Sequence, residues 1–328
     1  MQRPTPTVML LNGRGDYLLN LPALRALGEA FDQRWTLVAM KDAHRLILSE
    51  LDVARVIEPP FKKIGRGPEF DAAALAAEIG ETPAFISLNP WHTDSMSRLL
   101  TKLRTDFRVG FDEAFDLEIP LDFTKHTMDL AFDTVKPFNP QERLERHVQP
   151  PRFAPQHEAL ASSIAGQLSH APLVVGIHGD TLERKMWGPA KFSRLLRWLW
   201  ATEPDCVVLD LGLLPAVSPE LLQDPRYIHL EQLILPAAFA LVRYLDAFVG
   251  IDSCFLHAAD FYRIPTVALF GPTDVHEFGL RLGGPGRHVS APRMADIRAE
   301  SVIAALKELL ADIQPREHQR EPLAGALE

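Results

Sequence analysis

VGIDSCFLHAADFYRIPTVALFGPTD, Val249 to Asp274, reads as strand, turn, helix, strand, turn. An apolar strand, Ala247 to Ile251, ends at Asp252. Helix signals follow at once. Ser253 stands ahead of Phe255, Leu256, Ala258 and Ala259, and Pro265 ends the pattern. Thr266 to Phe270 is a second apolar strand, stopped by Gly271-Pro272-Thr273-Asp274. In an open α/β sheet, ligands collect outside the carboxyl ends of strands, and helix N-termini there favour anions. The stretch therefore predicts a nucleotide-type α/β domain with an anionic ligand, phosphate above all.

The same alternation runs outward to both ends. Val8 to Leu11 is a short apolar strand, followed by Asn12-Gly13-Arg14-Gly15-Asp16 and by helical spacing over Tyr17 to Phe31. The turn lacks the G-x-G-x-x-G spacing, so it is no dinucleotide fingerprint. On local grounds Asp16 is either a helix cap or a functional acid at a strand end. Strands are predicted at Thr36–Met40, Ala54–Ile57, Ala84–Leu88 and Arg108–Gly110, and helices at Ala43–Leu51, Asp71–Ile79 and Lys125–Val135. Pro59 to Pro68 reads as a loop carrying Lys62, Lys63 and Arg66, either a solvated basic loop or a contact for an anionic acceptor. Trp91 and His92 follow a strand end and are candidates to line a pocket there.

Lys136 to Pro155 is rich in proline and charge and is the best linker in the chain. It predicts two α/β domains, residues 1–150 and 151–328. In the second, strand Leu173–Ile177 precedes His178-Gly179-Asp180-Thr181, and Pro189 opens helix 189–201. Strands at Cys206–Leu211 and Tyr227–Leu230, a helix at Pro236–Leu245 and a last helix over Arg298–Ile313 complete the pattern. The tail from Gln314 is polar.

Bulk properties narrow the function. The chain has 328 residues, 47% of them hydrophobic, which suits two cores rather than one. A net charge of −9 and no basic-aromatic run argue against a nucleic-acid partner. Cys206 and Cys254 are too few for a metal cluster, and reduced thiols fit a cytoplasmic protein. No metal site is expected. No apolar run approaches about 18 residues and no signal peptide is read, so a spanning helix is not expected. Peripheral contact with an inner membrane stays open.

Three blocks together resemble the ADP-heptose:lipopolysaccharide heptosyltransferases, glycosyltransferase family 9. Gly15-Asp16-Tyr17-Leu18-Leu19-Asn20-Leu21-Pro22-Ala23-Leu24 looks like the family's G-D-V-L-x-T-L-P-A-L. Lys185-Met186-Trp187, with Pro189 and Phe192, is similar to K-x-W-P-x-x-x-F with Gly188 added. Asp252 to Ala259, with Pro265 and Phe270 to Asp274, is similar to D-[ST]-G-x-x-H-x-x-A…P…[FY]-G-P-T-D. The resemblance implies an α/β GT-B fold, two Rossmann-like domains facing across a cleft, with the acceptor on the first and the nucleotide-sugar donor on the second.

It also implies an inverting, metal-independent transfer, with the nucleotide-sugar as substrate and no cofactor. Asp16 then matches the catalytic base and Lys185 the cation that neutralises the leaving phosphates. Gly15, Thr181, Leu233, Ile234, Asp252, Ser253, Cys254, His257 and Thr273 match donor-contacting positions. Lys62, Lys63, Arg66, Trp91 and His92 remain acceptor-side candidates. ADP-heptose is the implied donor. The acceptor is lipopolysaccharide core or another glycan, a lipid-linked sugar or a small molecule. A non-catalytic nucleotide-sugar-binding or scaffold protein is the alternative, motivated by two departures. Cys254 stands where the pattern has glycine, which predicts a negative φ there. Asp180 stands where a hydroxyl is expected, and a carboxylate there would repel a diphosphate.

Overall fold

A computed structural model describes residues 5–180 and 182–312. The expectations for Thr181, for the end of the last helix at Ile313 and for the tail lie outside the described residues. The chain divides into two compact units, one up to Gln149 and one from Pro150 onward.

In the first unit the strands are β1 (Thr7–Leu10), β2 (Thr36–Ala39), β3 (Arg55–Ile57), β4 (Phe61–Ile64), β5 (Gly67–Phe70), β6 (Glu81–Ser87), β7 (Arg104–Gly110) and β8 (Leu117–Glu118). The helices are α1 (Arg14–Ala30), α2 (Ala43–Leu46), α3 (Ala72–Ile79), α4 (Asp94–Lys102) and α5 (Thr127–Phe132). The main sheet has the order β3-β2-β1-β6-β7-β8, and every pairing in it is parallel. Parallel neighbours need crossovers, and these supply the covering helices. Met9, Val38, Ile57 and Phe85 on one face pack with Leu75 and Ile79 of α3 and Met96, Leu99 and Leu100 of α4.

The second unit repeats the plan. Its strands are β9 (Val174–His178), β10 (Val207–Asp210), β11 (Tyr227–His229), β12 (Ala247–Ile251), β13 (Thr266–Phe270) and β14 (Gly286–Ser290). Its helices are α6 (Pro155–Gln167), α7 (Pro189–Thr202), α8 (Leu235–Val242), α9 (Cys254–Phe261), α10 (Val275–Phe278) and α11 (Ala299–Asp312). The order is β11-β10-β9-β12-β13-β14, again wholly parallel. Strands β9, β10, β12 and β13 are buried throughout, which is why they read as unbroken apolar runs rather than alternating ones. Both sheets therefore reverse direction once, between β1 and β6 and between β9 and β12. These are the switch points at which Rossmann-type folds bind ligands. Among the described residues no helix is long and apolar enough to cross a membrane.

Three local expectations are corrected. Pro59–Pro68 is not a loop but most of an antiparallel hairpin, β4 with β5, around the turn Gly65-Arg66 with Gly65 at φ 61°. Glycine first in a two-residue turn is a hairpin signal. Pro68 is compatible with it because a two-stranded ribbon has free edges. Ala43–Leu51 shrinks to one helical turn, since the N–H groups of Ile47 and Leu48 both close on the Ala43 carbonyl. The first helix starts at Arg14, not Tyr17, so the Arg-Gly-Asp tripeptide lies inside α1.

At the first switch point the backbone ladder ends and a side chain takes over. Asn89, past the end of β6, accepts from the Leu11 N–H at 3.0 Å and donates to the Leu11 carbonyl at 2.9 Å. Both residues are buried. Replacing Asn89 with Ala leaves two buried backbone groups unpaired, so Asn89→Ala is expected to lower unfolding free energy by about 2–4 kcal/mol. Urea unfolding measures this; a change within about 0.5 kcal/mol, the level of a neutral surface substitution, would refute the assigned role.

Candidate functional site

Each unit presents a cluster at the carboxyl ends of its central strands. In the first unit β1 ends at Leu10, and Gly13 is the N-cap of α1. Asp16 is the third residue of the helix, not its cap. Its Oδ2 accepts from the Gly13 N–H at 3.1 Å, which holds the carboxylate over the first turn. Acids are favoured there by the unpaired N–H groups and the helix dipole. Gly15 lies in the same turn.

The β4–β5 hairpin reaches this point. Lys63 Nζ donates to Asn12 Oδ1 at 2.5 Å, and Asn12 Oδ1 also accepts from the Gly13 N–H at 3.0 Å. The Arg66 guanidinium lies 3.8 Å from the Trp91 ring centroid, and Trp91 stacks on Phe123 at 4.8 Å. The hairpin thus spans from the β1 end to the β6 end. Lys62, Lys63 and Arg66 remain exposed. His92 is turned to Ser97 Oγ at 2.5 Å and to Asp112 at 3.4 Å. No sequence signal marked Asn12 or Phe123, because their roles arise only when hairpin and strand end meet.

In the second unit Lys185 closes a single 3-10 turn, Glu183–Lys185. The segment after it fixes its place. Trp187 is buried, its Nε1–H donates to the Ile297 carbonyl at 3.0 Å, and its ring meets Phe192 edge-on at 4.8 Å. Gly188 follows at φ 97°, a conformation that suits glycine, and Pro189 starts α7. Lys185 Nζ is thereby held 2.5 Å from Asp252 Oδ2. Asp252 sits one residue past β12 with only 6% of its side chain exposed, and its Oδ1 stands 3.7 Å from His257 Nε2. His257 is itself buried, so it backs the carboxylate from inside the fold.

Ser253 is the N-cap of α9, but its side chain caps nothing. Its Oγ, Thr273 Oγ1 and His178 Nδ1 are buried with no hydrogen-bond partner among the described residues. They lie at the ends of β12, β13 and β9, so unpaired polar atoms gather at this edge of the sheet. Cys254 is the first residue of α9 and is not among the described non-glycine residues at positive φ. The cysteine is therefore accommodated without backbone strain. Asp180 also finds a use: its Oδ2 accepts from the Leu213 and Leu214 N–H groups, each at 3.2 Å. Leu233 is half-buried and Ile234 exposed ahead of α8.

Sequence reading passed over His178, although it ends β9 at the second switch point. Burial pushes its imidazole down from 6.5 to about 4, opposed by the Asp180 carboxylate. Its ring packs on Phe255 at 4.7 Å. The unfolded chain protonates this group near 6.5, and the folded chain only near 4. Between those values the unfolded state binds more protons, so stability present at pH 7 is lost as pH falls. The gap corresponds to about 3 kcal/mol. His178→Gln should remove that part of the decline between pH 7 and pH 4.5 in urea unfolding; an unaltered slope would contradict a buried neutral histidine.

Comparison with known proteins bears on the family and the fold. The family model for glycosyltransferase family 9 (heptosyltransferase) matches residues 92–283. No curated protein sequence matches the chain. Among solved structures, the glycosyl transferase family 9 protein from Veillonella parvula DSM 2008 is 18% identical, with a TM-score of 0.72, covering 94% of this chain and 98% of that one. E. coli ADP-heptose LPS heptosyltransferase II is 17% identical with a TM-score of 0.66, over 94% of this chain and 98% of that one. E. coli heptosyltransferase WaaC, solved with ADP, is 15% identical with a TM-score of 0.66, over 93% and 99%. At these identities the structures show the GT-B type of fold, while the family model spans more than half of the sequence. The chain belongs to glycosyltransferase family 9, the heptosyltransferase family, and is a glycosyltransferase.

Proposed function

We propose that the protein transfers a sugar from a nucleotide-sugar, with ADP-heptose as the donor, to an acceptor hydroxyl in one inverting displacement without a metal. The observation that carries this reading is the Lys185–Asp252 pair beside the α9 N-terminus at the second switch point. A helix start and a lysine together suit a diphosphate. The ligands bound in two solved structures of one fold relative, E. coli heptosyltransferase WaaC, are ADP and ADP-2-deoxy-2-fluoro heptose, and they support the choice of donor.

In this reading Asp16 accepts the proton of the acceptor hydroxyl as that oxygen attacks the anomeric carbon. The bond from that carbon to the diphosphate oxygen breaks, and its electron pair leaves with the diphosphate. Attack opposite the leaving group inverts the anomeric centre. Lys185 and the first N–H groups of α9 take up the charge that develops on the diphosphate. Asp252 holds Lys185 and, with His257 behind it, presents an oxygen to the donor sugar. Ser253, Cys254 and Thr273 line the same edge, while Leu233 and Ile234 contact the base. The exposed cations Lys62, Lys63 and Arg66 suit an anionic acceptor, a lipopolysaccharide core or a smaller soluble glycan. A lipid-linked acceptor would bring the protein to a membrane surface.

Asp16→Asn keeps an oxygen that accepts from Gly13, so the turn should persist. Transfer is expected to fall about a hundred-fold or more, with ADP affinity within about twofold. Calorimetry and a released-ADP assay separate the two effects; wild-type turnover in Asp16→Asn would remove the residue from the base role. Lys185→Ala should instead weaken ADP binding by about tenfold or more. Unchanged affinity would overturn the diphosphate assignment. Turnover in chelator at the untreated rate is expected, and its abolition would overturn the metal-independent reading.

A further inference from the structure

In Rossmann-type domains an acid at the end of the second strand hydrogen-bonds the ribose hydroxyls of a bound nucleotide. The second strand of the donor unit is β10, and it ends on an acid, Asp210. That carboxylate is fully buried and committed elsewhere. Oδ1 accepts from the Gly212 N–H at 3.0 Å, and Oδ2 accepts from the Ala216 N–H at 2.6 Å and from the Tyr227 hydroxyl at 2.5 Å.

The loop it organises is pinned from other sides as well. Asp180 takes the Leu213 and Leu214 N–H groups, and His229 Nε2 stands 3.0 Å from the Gly212 carbonyl. A loop held this tightly presents two leucines outward, Leu213 at 68% and Leu214 at 61% exposure. Ordered backbone under exposed apolar side chains is the arrangement of a contact surface, since nothing in the loop itself gains from it. Its place beside the diphosphate end of the proposed donor site selects the occupant, because a nucleotide laid from the β9–β12 switch point continues over β10.

We propose that this chain holds the nucleoside end of its donor by apolar contact with Leu213 and Leu214, and that Asp210 does not read the ribose hydroxyls. This rests on the donor-site reading above. The consequence is a site that accepts 2′-deoxyribose as readily as ribose, because a leucine cannot pair a hydroxyl and leaves no buried acceptor stranded when one is missing. Sites that do hydrogen-bond a substrate hydroxyl reject its deoxy analogue steeply.

The test is calorimetric titration of the intact protein with ADP and 2′-deoxy-ADP, and with UDP and 2′-deoxy-UDP as a second pair. The deoxy and ribo forms of a pair are expected to bind within about threefold of each other. A loss of tenfold or more for the deoxy form would overturn the inference and leave the donor-site reading standing. Binding by none of the four would overturn the donor-site reading and this inference with it. Leu213→Ala with Leu214→Ala should weaken both members of a pair equally, by about tenfold, and leave the unfolding midpoint unchanged because both side chains are exposed. Unaltered affinity in that double variant would show that the leucines make no contact.

Discussion

Parallel strand pairing is the constraint on which the molecule depends. It routes most crossovers through a helix and delivers the strand-to-helix turns to the same edge of the sheet. Where the order reverses, adjacent crossovers leave on opposite sides of the sheet, and the backbone ladder has no continuation between them. Both units have the same six-strand order and the same fork. What differs is how each fork is filled. In the first, Asn89 grips both polar groups of Leu11. In the second, the Lys185–Asp252 pair stands over it, with His257 behind the carboxylate. One fork is closed by a neutral amide, and the other carries an ion pair.

Several buried acids of the second unit hold local structure through backbone N–H groups. Asp246 accepts from Val174, Asp260 from Arg281 and Leu282, and Asp210 from Gly212 and Ala216. Burial raises the carboxyl groups of Asp210 and Asp260 above the ordinary range, and their hydrogen bonds pull the other way. These residues would look like catalytic candidates if burial and perturbation alone were the criterion. Their oxygens are already taken up by backbone amides, so their contribution is to hold local backbone in place.

The two departures from the family pattern acquire physical meaning in the same way. Cys254 opens α9 in ordinary helical conformation, so a side chain there conflicts with no backbone requirement. Asp180 is turned onto the Leu213–Leu214 turn, where its carboxylate holds the loop after β10. Neither residue argues against a working transferase once its partners are known.

Much of the fold was legible in order. Apolar runs at Ala247–Ile251 and Thr266–Phe270 coincide with β12 and β13 because both sheet faces are covered. Ser253 and Pro189 marked helix starts because N-cap and N1 preferences are read within a few residues, even though the Ser253 side chain makes no capping bond. The hairpin Phe61–Phe70 was missed because its side chains do not alternate between core and water; Ile64 is 64% exposed. The Gly15-Asp16, Lys185 and Asp252–Ser253 motifs could be read because each is local. Their chemistry was not local. Asp252 meets Lys185 across 67 positions of sequence, and Lys63 meets Asn12 across 51. Sequence alone determined the alternation, the family blocks and the residue types available for transfer. Only the tertiary structure decided which charges pair, which acids are occupied and where His178 lies, because those outcomes depend on burial and on contacts between distant segments.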